Sequence, residues 1–315
     1  MNPKLCLLAW CALTWSCSTP AQEEQPRKFD AGRVGFTLKA KEFETDYRVL
    51  GVSVMPGERL PLRTSVASVM SASGGTLDGS AAGWTWTAPK TPGVYRIEAR
   101  GSGSMMRLNL FVLRPASDAQ AGKLNGYRIG AYPPRPFRGL PSYRAPRGYI
   151  EVTPDMHDLE VSPHFTLKQF LCKQASDYPK YLVLREPLLL KLESILAAIN
   201  AAGLRTDSFV IMSGYRTPWY NQQIGNRTAS SRHLYGAAAD IFIDVAPRDG
   251  VMDDLNGDGR TDKADADFLY DRFDRWSSKS WWKRHAGGLA SYGATPAHGP
   301  FVHVDERGYK ARWGR

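Results

Sequence analysis

The chain has 315 residues, 43% of them hydrophobic and 11% aromatic, with a formal charge of +10. That is enough apolar material for packed cores and more length than one average domain uses, so two domains are expected. A basic chain meets anionic partners readily, whether nucleic acid, anionic lipid or cell-wall polymer; no Arg/Lys run or nucleic-acid module selects the first, and a merely soluble basic surface is the plain alternative. Residues 1–21 read as a secretory signal. Lys4 supplies the positive region, Leu5 to Trp15 an apolar core too short to span a bilayer, and Thr19-Pro20-Ala21 a small-residue cleavage site. An exported protein of the periplasm or cell envelope follows, without a transmembrane segment. Cys17 keeps a lipid anchor open as the alternative, although the bulky Trp15 makes a poor lipoprotein signal. Cys6, Cys11 and Cys17 all fall in the leader, so the mature chain has only Cys172 and no disulfide framework. Cys172, beside Phe170 and Leu171, reads as a buried inert thiol.

Residues 22–31 are polar and read as a tether. From 32 to 115 short alternating stretches recur between turn signals, among them Tyr47 to Val54, Trp84 to Thr87, Gly93 to Ala99 and Leu108 to Leu113. The pattern predicts an all-β sandwich, immunoglobulin-like in the loose sense, without a titratable cluster and so a spacer or positioning unit. Residues 116–160, rich in Pro, Gly, Tyr and Arg, read as a linker, with Tyr132-Pro133-Pro134-Arg135-Pro136 stiff and extended or its aromatics laid across the next domain.

From 161 to 315 the character changes. Thr166 caps a helix expected over about 167–176, and Glu186 to Ala202 carries a broad apolar stripe of Leu188, Leu189, Leu192, Ile195, Leu196 and Ile199 that ends at Gly203. Phe209 to Met212 reads as a strand and Thr217 to Ile224 as a short helix. Then comes Ser231-Arg232-His233-Leu234-Tyr235-Gly236-Ala237-Ala238-Ala239-Asp240, leading into the strand-like Ile241 to Val245. Alternation puts Asp240, Phe242 and Asp244 on one face. A second imidazole waits on the late strand Phe301-Val302-His303-Val304-Asp305. Two His and one carboxylate, with a position left for water, are the usual protein share of a catalytic zinc site. This domain reads as α+β, with a small antiparallel sheet carrying the metal.

Ser-x-His-x-x-Gly-x-Ala-x-Asp over 231–240 resembles the motif of the zinc D-Ala-D-Ala carboxypeptidases and murein endopeptidases, and Ser162 to Leu167, Ser213 to Pro218 and Phe301 to Asp305 fit the same family. The resemblance covers about residues 160–315. It implies zinc on His233, Asp240 and His303, and cleavage of peptidoglycan stem or cross-link peptides. It also implies that Arg216 holds a substrate carboxylate, with a salt bridge to an acid as the plain alternative. Ser231 would bond the metal loop or turn it. Many relatives carry an acid three positions before the last His. That position is Pro300 here, so the general base falls to His298 or Asp305, with Asp244 third. Orienting the ring of His303 is the alternative role for Asp305. His157, His164 and His285 have no partner pattern.

Residues 246–276 form an insertion. Asp254, Asn256, Asp258, Arg260, Asp262 and Asp265 occupy loop positions 1, 3, 5, 7, 9 and 12, with Gly259 at 6, a calcium-loop spacing that resembles the dockerin-type EF loop. An acidic turn capping the helix expected over 267–276 is the plainer alternative. Two functions compete: an exported zinc peptidase, and a non-catalytic wall-binding protein that keeps zinc for structure. No Asp/Glu pair stands out for glycoside cleavage.

Overall fold

The computed structural model describes residues 28–81 and 83–315. The leader, Cys17 with its lipid anchor, and most of the tether lie outside the described residues. No described helix is long and apolar enough to cross a membrane.

The first unit is β throughout. Its nine strands are β1 (Arg33–Ala40), β2 (Phe43–Tyr47), β3 (Val49–Val54), β4 (Arg59–Thr64), β5 (Val69–Ala72), β6 (Thr76–Ser80), β7 (Gly83–Thr87), β8 (Gly93–Gly101) and β9 (Ser104–Val112). They form one sheet in the order β2-β1-β4-β7-β6 and another in the order β3-β9-β8-β5. The apolar residues alternate, so each sheet turns one side inward: Leu38, Leu60, Leu62 and Trp86 from the first, Val52, Ile97 and Leu108 from the second. Trp86 is fully buried, and its indole N–H donates to Gly74 O at 2.8 Å, so its burial strands no donor.

The sandwich is joined to the rest of the chain by a continuous core and a polar seam. Arg48 pairs with Glu160 at 3.1 Å, Asn109 donates to Glu160 O at 2.7 Å, and Lys41 and the Ser53 amide both meet Glu186. Glu186 opens helix α1 (Glu186–Ala201), so a carboxylate at the helix N-terminus also anchors the sandwich.

Residues 116–160 follow the second course open to them, with aromatics laid across the next unit. They fold onto the second unit through a hairpin, Lys123–Leu124 with Tyr127–Arg128, and through the strand Gly148–Val152, which pairs with Lys180–Leu182. Tyr127, Tyr143 and Tyr149 are buried. Aromatic rings gain more by covering a neighbouring core than by standing in water, which is why this Pro-rich stretch docks and does not act as a spacer.

In the second unit α1 runs as expected, with its stripe fully buried. The helix expected over 167–176 is only a 3-10 turn, Leu167–Phe170, closed by Gln169 accepting from the Thr166 amide at 2.7 Å. Beyond it Cys172 and Gln174 point inward and Lys173 outward, a period of two that a helix cannot supply. Helix α2 (Pro218–Gln223) starts at the Thr217 cap, and α3 (Lys263–Trp276) starts four residues earlier than expected because Asp262 caps it. The sheet has the order Val210–Ser213, Ala238–Phe242, Phe301–Asp305, Gly288–Tyr292, Ala311–Trp313. It is antiparallel except for its last pair, which is parallel. All of Ala238–Phe242 is buried on both faces, and the strand ends before Asp244.

Candidate metal centre

His233 lies on a 3-10 turn, Arg232–Tyr235, that ends at Gly236 with φ +61°. A Cβ at Gly236 would come within 2.2 Å of Val183 O, so the motif glycine is needed both for its left-handed backbone and for close approach. The chain then enters the strand Ala238–Phe242, where Asp240 stands directly across from His303 in the antiparallel register. Cross-strand partners share a face, so strand pairing alone delivers one carboxylate and one imidazole to the same spot. The turn brings the second imidazole above them.

The donor atoms converge. His303 Nδ1 is 2.8 Å from Asp240 Oδ1, and His233 Nε2 is 3.3 Å from both. Among the described residues this is the one group of three His, Cys, Asp or Glu side chains with ligand atoms within 4.8 Å of one another, and all three residues are buried.

Each donor is fixed from behind. His233 Nδ1 is 2.6 Å from Gly214 O, so it carries the hydrogen and Nε2 keeps its lone pair for the centre. Asp305 Oδ2 is 3.0 Å from His303 Nε2. Asp305 is itself held by the Gly288 amide at 2.7 Å and by the Arg307 guanidinium. Arg216 donates to Asp240 Oδ2 and, at 2.8 Å, to Ser213 Oγ.

The electrostatics suit a cation. Burial alone would raise the Asp240 carboxyl, but His233 and His303 outweigh it and hold it well below the usual carboxylate range. Burial pushes His233 down, against the pull of Asp240, which favours its neutral, ligating form. His303 is pushed down by burial but raised on balance by its bonds to Asp240 and Asp305. Two imidazole nitrogens and one carboxylate oxygen, each with its other side bonded, are a donor set that fits zinc.

The placement bears on two roles that the sequence left open. Asp305 is fully buried on the far side of the His303 ring and paired with Arg307, a placement that favours orienting the ring over acting as general base. Arg216 is engaged by Asp240, the plain alternative to holding a substrate carboxylate. His298 does line the cleft over the centre, a space of about 720 Å³, as does Ser231. The His298 ring stands edge-on to Phe301, with Nδ1 2.8 Å from Gly299 O. Asp244 accepts from the Asp249 and Gly250 amides and shapes a loop.

The calcium reading finds no support. Asp254 accepts from the Gly257, Asp258 and Gly259 amides, and Asp262 caps α3 through the Ala264 amide. Asp265 is fully buried and accepts from Leu255, Asn256 and Asp262. The backbone N–H groups of the loop bond to these carboxylates, and among the described residues they do not gather into a ligand group.

Several contributors had little sequence signal. Glu306, beside the late strand, receives Arg185 at 3.2 Å and Arg232 at 3.4 Å. Tyr143 stacks under the Arg232 guanidinium at 4.3 Å, and Tyr132 OH donates to Leu234 O at 2.8 Å while meeting Tyr215 OH at 2.9 Å. The aromatic richness of 116–160 was the only hint that this segment braces the metal turn. No curated protein and no solved structure gives a match to the chain. The family comparison takes in His233 and Asp240 and stops short of His303: residues 163–277 match the family model described as Peptidase M15.

Proposed function

We propose that the protein is an exported zinc-dependent peptidase that hydrolyses peptidoglycan stem or cross-link peptides. The observation that carries this is the convergence of His233 Nε2, Asp240 Oδ1 and His303 Nδ1 at the base of an open cleft. The Peptidase M15 match over 163–277 and the basic charge of the chain agree with it. Zinc, when bound, supplies Lewis-acid polarisation of the scissile carbonyl and a lower pKa for water. The residues of the chain do the rest. Asp305 and Arg307 keep the His303 ring aimed, Gly214 O selects the His233 tautomer, and Arg216 stops Asp240 from rotating. His298 is the base in this reading. With its hydrogen on Nδ1 toward Gly299 O, its Nε2 can take a proton from the attacking water and pass it to the leaving amine. The sandwich, immunoglobulin-like in the loose sense, positions the peptidase unit, and residues 1–21 direct export, with Cys17 as the alternative lipid anchor.

Pro300 favours the second reading, a wall-binding protein with a structural zinc site, because it removes the acid that many similar peptidases carry there. Digestion of purified sacculi separates the two. Muropeptide products that EDTA abolishes and zinc restores support the peptidase. Retention on sacculi without product release supports the binder. His298→Ala should keep stoichiometric zinc and lower the rate by about 10²–10⁴-fold, and a fully active variant would remove His298 from the mechanism.

A further inference from the structure

Four cationic side chains line the cleft: Lys173, Arg216, Arg232 and Arg307. Three of them are tied to acids of the chain. Arg216 is held by Asp240, Arg232 by Glu306 and Arg307 by Asp305. Lys173 is exposed and pairs with no acidic side chain among the described residues. Its backbone is nonetheless well placed. Cys172 and Gln174 are buried on either side of it, and Gln174 donates to Arg128 O at 3.0 Å, so the chain is held and the Lys173 side chain is turned out.

A second hollow of about 280 Å³ adjoins the cleft, and Lys173, Met212, Ala297 and His298 line both spaces. Its other walls are largely apolar, from Ile211, Phe242, Val251 and Met252, and no acidic side chain among the described residues lines it. Among the described residues the only acid of the main cleft is Asp240, which belongs to the candidate metal centre. A carboxylate entering this region therefore meets one available cation and no fixed negative charge outside the donor set.

Resting on the peptidase reading, we propose that Lys173 recognises a carboxylate on the substrate, at the junction where an apolar substrate group enters the hollow beyond His298. An ammonium on a flexible stem can follow a carboxylate approached from solvent. The substrate class is a peptide bearing a free carboxylate next to an apolar residue. Arg216, the expected carboxylate receptor, stays on Asp240.

The test uses the full zinc-loaded chain and paired synthetic peptides that differ only in a carboxylate or a carboxamide at one position. The wild type should prefer the acid. Lys173→Met should raise KM for the acid peptide by about 3–10-fold, with kcat and zinc content held. The KM of the amide peptide should move less than about twofold, and Lys173→Arg should keep most of the preference. Added salt should erode the preference in the wild type and leave Lys173→Met unaffected. An acid preference that survives unchanged in Lys173→Met overturns the proposal. If the wild type cleaves neither peptide, the peptidase reading fails by itself. Equilibrium binding of the two peptides to wild type and Lys173→Met then decides this one, and equal affinities in all four pairings overturn it.

Discussion

Two stretches of the second unit have metal-site spacing in the sequence, the motif ending at Asp240 and the acid-rich loop 254–265, and they end differently. Around Asp240 the donors come from three separate segments, each is bonded on its far side, and the remaining lone pairs face one point. In the loop 254–265 all the acids come from one segment, and their oxygens turn back onto the amides of that segment. Local spacing makes a self-bonded turn easily, because the amides are closest. A centre needs strands to bring donors together from far apart in sequence and neighbours to occupy their other sides.

The comparison can be broken most directly at the ligands. His233→Ala, Asp240→Ala and His303→Ala should each leave the purified chain without stoichiometric zinc by metal analysis, while the sandwich keeps its β signal in circular dichroism. Stoichiometric zinc in all three would remove the centre. One step back, Asp305→Asn should weaken zinc by about 10–100-fold in chelator competition, since an amide there no longer draws the His303 hydrogen as a carboxylate does. An unchanged affinity would show that the His303 ring is held by strand packing alone.

The loop should answer in stability and not in metal. Asp265→Ala leaves three amides without their acceptor and should lower unfolding free energy by about 2–4 kcal/mol in denaturant titration. The loss should be the same in EDTA and in millimolar calcium. A loss that grows with calcium would restore the calcium reading.

Lys191 sharpens the contrast from beneath the sheet. It is fully buried in α1, donates to Asp305 O at 2.6 Å and stands over the Trp282 ring at 4.4 Å. Burial lowers its pKa from 10.5 to about 7. The unfolded chain thus binds the proton more tightly, so the penalty is fully present below about pH 7 and fades as pH rises toward 10.5. Lys191→Met should stabilise by about 1–3 kcal/mol at pH 6, with a smaller gain at pH 9, measured by denaturant unfolding at both. A gain that is flat with pH would show that Lys191 is not the titrating group. The smallest effect is expected at the brace. Tyr132→Phe removes one hydroxyl bonded to Leu234 O and should cost about 1 kcal/mol of stability, with a few-fold loss of zinc affinity. No change in affinity would confine the brace to folding.

Much of this was legible in the chain. His233, Asp240 and His303 could be singled out because a small-residue run leading into a strand, and an imidazole on a second strand, are local patterns that survive folding. The stripe of α1 was legible for the same reason, since its period of 3.6 lies within one segment. What only the tertiary structure decided depends on which segments meet. Asp305 is fixed behind the His303 ring because the Gly288 amide and Arg307 close over it there. Arg216 was taken by Asp240, the nearest buried negative charge. Residues 116–160 became part of the metal unit because their tyrosines found Arg232 and Leu234 to cover. Sequence spacing reports which chemistry a segment can offer, but a side chain's role is set by the partner that desolvation forces on it, and that partner is usually distant in the chain.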